Sequence, residues 1–222
     1  MSRYRRPRRS AARVFFTVCL ARPGARLLVD EIDILREAVA VTRKRRPFAI
    51  DAWVVLPDHM HALWTLPEDD ANYSDRWGAI KARFSKFVRL KQAGVPVGPN
   101  GKVGCKPTLR KAERGGMTEA ERLWRIRSAS KRGKQEAGIW QRRFWEHHIR
   151  DRADYEAHLH YCWADPVQHG LAARAADWPY SSIHRDIAAG LVDSDFATQV
   201  IEGSFGEMKA DAHIAETGRV GL

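Results

Sequence analysis

Phe48-Ala-Ile-Asp-Ala-Trp-Val-Val-Leu-Pro-Asp-His-Met-His-Ala-Leu-Trp-Thr-Leu66 contains two apolar runs rich in β-branched and aromatic residues, separated only by Pro57-Asp58. Runs of this kind read as strands, and a two-residue Pro-Asp break reads as a turn, so the segment is expected to be an antiparallel hairpin. Side chains alternate along a strand. His59 and His61 therefore point to one face, and Met60, Ala62 and Trp64 to the other. Two imidazoles in that register can chelate one divalent ion, and their softness suits Mn or Zn better than Mg. A His-x-His pair also occurs as two hydrogen-bonded, partly buried side chains, so the pair alone leaves both readings open.

Working outward, Val14-Phe-Phe-Thr-Val-Cys-Leu20 reads as a strand, and Val29 to about Arg46 as a helix, with Ile32, Leu35, Val39 and Thr42 at helical spacing. Ser74, a good N-cap, opens a second helix to about Gln92, whose apolar face is Trp77, Ile80, Phe84, Phe87 and Val88. Residues 93–138 are rich in Gly, Lys and Arg and poor in apolar residues, which marks an insertion or long loop. Ile139–Ile149 is a strand candidate, and a helix follows from about Asp151 to Ala164, with Pro166 expected to end it. The order β-α-β-β-α-(insert)-β-α predicts an α+β fold of the ferredoxin-like, split βαβ type: an antiparallel sheet with helices packed on one face. The division is a basic arm over 1–13, one domain over 14–190 carrying the insertion 93–138, and a polar tail over 191–222.

Charge narrows the partners. The 222 residues hold 38 Lys plus Arg against 27 Asp plus Glu, a net +11 with a pI near 9.9, which favours a polyanion. No apolar run approaches the ~18 residues of a membrane span, and no membrane partner is expected. The Arg-rich start before Val14 imitates a secretory signal, but Thr17 and Cys19 interrupt the apolar run and Arg22 follows at once. A strand behind a basic arm fits better. Three cysteines (Cys19, Cys105, Cys162) without a CxxC pair indicate neither a disulfide framework nor a thiolate zinc site, and a reducing cytoplasmic compartment is the default.

The helix from Asp151 carries two stripes. Tyr155, Leu159 and Cys162 make an apolar one, so Tyr155 is expected in the core. Asp154, His158, Tyr161 and Asp165 make a polar one, which sets Tyr161 beside a histidine and two carboxylates. Taken alone, Tyr161 is equally well a half-buried aromatic with its hydroxyl in water.

His59-Met60-His61 with the preceding Trp53–Asp58, then Ile139–His147, Asp154–Tyr161, Asp165-Pro-Val-Gln-His-Gly170 and Asp177-Trp-Pro-Tyr-Ser-Ser182, together resemble the REP-associated tyrosine transposases. These are single-tyrosine members of the HUH group (His, hydrophobic, His). The resemblance covers about Arg13–Gln92 and Gly138–Gly190. It implies a ferredoxin-like enzyme that cuts and rejoins single-stranded DNA at imperfect palindromic hairpins through a 5′-phosphotyrosine, using Mg2+ or Mn2+ and no nucleotide cofactor. By matched position, His59 and His61 would be metal ligands and Tyr161 the nucleophile. Asp165 falls where related enzymes place a third ligand, although the family usually has Asn-Pro where this chain has Asp165-Pro166. His158, one turn before Tyr161, is a candidate proton acceptor or a structural hydrogen-bonder. Arg3, Arg5, Arg6, Arg8 and Arg9, the run Arg43–Arg46, and Arg142 and Arg143 are candidates for phosphate contacts. Trp140, Phe144 and Trp145 either stack on unpaired bases or belong to the core. The expected assembly is a monomer or homodimer. Two other classes stay open: a single-stranded nucleic-acid-binding module or degenerate transposase without cleavage, and a hydrolase that activates water at the His-x-His site.

Overall fold

The computed structural model describes residues 11–95, 138–196 and Phe205. A four-stranded antiparallel sheet is built from β1 (Arg13–Cys19), β2 (Ala49–Val55), β3 (His59–Thr65) and β4 (Trp145–His148), in the spatial order β2-β3-β1-β4. Strand β3 lies between β1 and β2 and is antiparallel to both, which is the split βαβ arrangement expected from the sequence. Between β1 and β2 run α1 (Leu27–Asp30) and α2 (Ile32–Arg45). The long α3 (Tyr73–Gln92) follows the hairpin, and α4 (Arg152–Gln168) follows β4. A 3-10 turn (Ala175–Asp177) and α5 (Ile183–Ala188) close the described chain.

Alternation sorts the strand residues into two cores. Val14, Phe16, Val18, Met60, Ala62 and Trp64 face α2 and α3, where they meet Leu35, Ala38, Trp77, Ile80, Phe84 and Val88. Trp64 is completely buried, with Phe48 against one side (centroids 4.0 Å) and Trp77 stacked at 4.3 Å. Phe15, Ala52, Val54, Leu56 and Leu63 face the opposite way and pack on Tyr161 and Cys162 of α4. The helices are therefore not all on one face: α2 and α3 share one, as expected, while α4 covers the other. The reason is visible in β1, β2 and β3. Both their faces carry apolar residues, so leaving one bare would expose Phe15, Val54 and Leu63 to water.

Several boundaries differ from expectation. The first helix is broken at Glu31 into two pieces, and α3 is capped by Asn72, whose side chain accepts from the Asp75 N–H, not by Ser74. The last strand is short, because only Trp145–His148 pairs with β1, while Trp140 makes a single bridge to Leu20. Pro166 lies inside α4. In the last turn it forfeits only the one bond that its missing N–H would have given to the Cys162 carbonyl, and the helix runs on to Gln168. The Asp177–Ser182 motif has a structural task. Val55 N–H donates to the Tyr180 carbonyl (2.9 Å), Ser182 N–H to the Trp53 carbonyl (2.7 Å), and Trp178 Nε1 to the Val55 carbonyl (2.9 Å), which seals the free edge of β2. The arm 1–10, most of the insertion and most of the tail lie outside the described residues. Among the described residues no helix is long and apolar enough to cross a membrane, and Cys19 and Cys162 are both buried.

Candidate active site and metal centre

The polar stripe of α4 is its buried face. Asp154, His158, Tyr161 and Asp165 are all buried, whereas Tyr155, expected in the core, is half-buried under the Arg13 guanidinium at 4.7 Å. The polar stripe is drawn inward because the sheet face beneath α4 is polar at its centre: Thr17 of β1 and His59 and His61 of β3 point into it, while Cys162 of the apolar stripe is buried beside it. Register sets the pairing, with Thr17 opposite His61.

His59, His61 and Asp165 each place a ligating atom within 4.8 Å of the others. The His61 Nε2–Asp165 Oδ2 distance is 3.3 Å and His59 Nε2–Asp165 Oδ2 is 4.0 Å. The Asp165 side chain is completely buried, and neither of its oxygens makes a hydrogen bond of normal geometry. His59 Nε2 is likewise buried without one. Imidazole lone pairs and a carboxylate that converge in this way are a donor set for a divalent cation, and two nitrogens with one oxygen suit Mn2+ or Zn2+.

Each ligand is also held from behind. His59 Nδ1–H donates to Asp58 Oδ1 at 2.7 Å, and Asp58 in turn accepts from the Gly24 N–H at 2.6 Å. Burial would raise the Asp58 pKa, but these bonds outweigh it and hold the group below the ordinary carboxylate value. The Thr17 hydroxyl donates to the Phe205 carbonyl, so its oxygen accepts from His61 Nδ1–H at 2.9 Å. Both rings thus carry their proton on Nδ1 and turn a bare Nε2 toward the centre, the arrangement that fixes tautomer and orientation in metal-ligating histidines. His169, four residues after Asp165, sits 3.3 Å from Asp165 Oδ1 with its ring edge-on to His59, and Asp165 raises its pKa.

Tyr161 lies edge-on to His61 at 5.2 Å between ring centroids, beside the donor set. The Phe205 ring is stacked on it at 3.7 Å and also contacts Phe15 and His158. His158 Nδ1–H donates to the Asp154 carbonyl at 2.7 Å, which leaves its Nε2 unprotonated, and burial lowers its pKa. Among the other candidates, Arg142, Arg143 and Arg43–Arg46 are exposed, as phosphate contacts require. Trp140 and Phe144 are in the α3-side core, where Phe84, Phe16 and Trp77 crowd their rings, so the core alternative holds for both. Trp145 packs on Phe15 in the other core. Arg3, Arg5, Arg6, Arg8 and Arg9 lie outside the described residues. Sequence reasoning missed Asp58, Thr17 and Phe205. Asp58 was legible in principle as a carboxylate adjoining a ligand histidine; Phe205, in a polar tail, was not.

No family model matches the chain. It is 37% identical over 207 residues, 93% of this chain and 98% of the relative, to a REP-associated tyrosine transposase of Escherichia coli (strain K12). A Haemophilus influenzae protein provisionally given the same name is 34% identical over 196 residues, 88% of this chain and 93% of that one. A solved structure of a REP-associated tyrosine transposase bound to a REP hairpin superposes with a TM-score of 0.70 at 36% identity, covering 94% of this chain and 98% of that one.

Two outcomes follow from the site. Asp58→Ala should weaken Mn2+ binding by roughly 10–100-fold in titration calorimetry, with an unchanged far-UV circular dichroism spectrum, because it releases the His59 ring without emptying the core. Burial lowers the His61 pKa to about 3 from an ordinary 6.5, despite the opposing pull of Asp165. The folded state keeps His61 neutral while the unfolded chain takes up a proton below pH 6.5, so this contribution to stability is intact above that pH and lost progressively as pH falls toward 3. Thermal unfolding of the metal-free protein across that range should show the loss, and His61→Gln should remove part of the slope.

Proposed function

The chain belongs to the REP-associated tyrosine transposase family, and on that premise we propose that it cuts and rejoins single-stranded DNA at palindromic hairpins, with Tyr161 as nucleophile and a divalent cation held by His59, His61 and Asp165. The observation that carries the proposal is the meeting, beneath one helix, of an in-register histidine pair, a buried carboxylate that makes no normal hydrogen bond, and a tyrosine one turn from that carboxylate.

A phosphodiester resists attack because its negative charge repels nucleophiles. When bound, Mg2+ or Mn2+ would draw charge from a non-bridging phosphate oxygen. Tyr161 supplies the nucleophilic oxygen. Its Oη forms a bond to phosphorus as the bond to the 3′ oxygen breaks, leaving a 5′-phosphotyrosine and a free 3′-hydroxyl. A phenol with an ordinary pKa near 10 is mostly protonated at neutral pH and needs help to lose its proton. His158, neutral with a bare Nε2, is the acceptor we assign to that proton, and the leaving 3′ oxygen is protonated from solvent. Because the phosphotyrosine conserves the ester energy, an incoming 3′-hydroxyl reverses the step without a nucleotide cofactor. Asp165 in place of the family's usual Asn keeps an oxygen ligand and adds a negative charge near the phosphate. Phosphate contacts fall to Arg142, Arg143, Arg43–Arg46 and the arginines of the N-terminal arm. The partner we propose is a repetitive extragenic palindrome in its hairpin form, the kind of DNA held by the structural relative.

Phe205 stacks on the buried Tyr161 ring, and in the reading proposed here it withdraws to let a phosphate approach the hydroxyl. A labelled single-stranded hairpin with Mn2+ should yield a covalent protein–DNA adduct on a denaturing gel with the wild-type chain and none with Tyr161→Phe. Cleavage that persists in Tyr161→Phe would point to a hydrolase, and binding without cleavage to a recognition module. Phe205→Ala should form the adduct faster than wild type at equal hairpin occupancy.

A further inference from the structure

A second group of potential ligands lies on the same sheet face, across Phe15 from the first: His147 of β4 with Asp154 and His158 of α4. Asp154 Oδ1 is 3.1 Å from His147 Nε2 and 3.2 Å from His158 Nδ1. Ligands at about 2.0–2.1 Å around a tetrahedral zinc ion stand roughly 3.3 Å from one another, so both nitrogens already stand from the Asp154 oxygen at about that separation. The two imidazoles are stacked nearly parallel, 4.6 Å between centroids and 10° between planes, with Nε2 of one and Nδ1 of the other both close to the same carboxylate. His147 is about a quarter exposed, at 26%, which leaves a path to solvent for entry and for a fourth ligand.

We propose that His147, Asp154 and His158 form a second divalent-metal site, suited to Zn2+, that ties the tyrosine helix to edge strand β4. The proposal does not depend on the chemistry assigned to Tyr161. Two imidazole nitrogens and one carboxylate oxygen are borderline-soft ligands that favour Zn2+ over Mg2+. Their protonation states suit it. Burial keeps the His158 ring neutral. Burial alone would raise the Asp154 pKa, but bonds from Arg150 and His147 outweigh it and keep the carboxylate ionised far into acid. Arg150 competes for Asp154: its backbone N–H and Nε hold Oδ2 at 2.9 and 3.0 Å, and His147 Nε2 lies nearer that oxygen (2.8 Å) than Oδ1 (3.1 Å), so an entering cation would displace the exposed Arg150 side chain. In the metal-free protein His147 Nε2–H donates to the Asp154 carboxylate and His158 Nδ1–H to the Asp154 backbone carbonyl. Zn2+ would replace both protons. With Nδ1 on the cation, His158 carries its proton on Nε2, so a filled second site removes the lone pair assigned above to the tyrosine's proton. Occupancy thus fastens the helix and disables proton uptake at His158 together.

The test is Zn2+ stoichiometry on the full chain, measured by equilibrium dialysis of zinc chloride and elemental analysis, with far-UV circular dichroism as the folding control. Wild type should bind about two ions, His147→Ala about one, His59→Ala about one, and the double variant none. Zinc should also raise the melting temperature of His59→Ala but not of the double variant. His147→Gln, which keeps volume and polarity, serves if the alanine variant misfolds. A wild-type stoichiometry of one, or a second ion that survives both His147 substitutions, would overturn the site.

Discussion

A carboxylate taken wholly out of water needs a positive charge beside it, and Asp165 is such a group. Its oxygens face imidazole nitrogens 3.3–4.0 Å away on the floor of a helix–sheet interface, where an unpaired ion costs several kcal/mol. That cost organises the structure around it. Helix α4 turns its polar stripe inward, which a helix normally does not do, and β3 presents two histidines. The surrounding bonds from Asp58 and Thr17 fix those rings so that their unprotonated nitrogens converge on the carboxylate. An apolar interface would have been simpler to pack. In the proposed reading, a divalent cation held by His59, His61 and Asp165 would supply what the protein atoms lack.

The same constraint separates what the sequence disclosed from what it hid. The split βαβ order, the His-x-His face and the apolar stripe of α3 were legible, because each follows from a periodicity that sterics enforce. The amphipathicity of α4 was read correctly as two stripes, but Tyr155 and Tyr161 exchanged environments. A rule that sends apolar residues inward fails where the opposing surface is itself polar, and that surface is contributed by Thr17 and His61, far away in sequence. Trp140 and Phe144 went to the core for a similar reason: α3 offered a large apolar face, and aromatic rings next to arginines filled it. Phe205 had no periodic signature at all, since a single ring in a polar tail becomes meaningful only through what it stacks on.

The two centres also show how a small sheet can hold several polar groups without losing its core. Phe15 stands between them, stacked on His61 and edge-on to His158, and shields each cluster from the other. Apolar packing of α2 and α3 against the far face carries most of the burial, so the near face is free to be polar. The covered edge of β2 adds to this division of labour, because the Trp178–Ser182 segment satisfies backbone groups that α4 does not reach.

The distance along the chain between the histidines and Asp165 has a consequence for biosynthesis. The pair on β3 leaves the ribosome roughly a hundred residues before the helix that completes the centre, and the whole basic insertion is made in between. During that interval the hairpin offers two imidazoles and no carboxylate, which is a weak chelate. Closing so long a loop is slow and entropically costly, and Tyr161 arrives on the same helix as Asp165. Under the proposed mechanism, a nascent or truncated chain would have neither a tight metal centre nor a tyrosine to react, and covalent attack on DNA would wait until synthesis has passed α4 and that helix has docked.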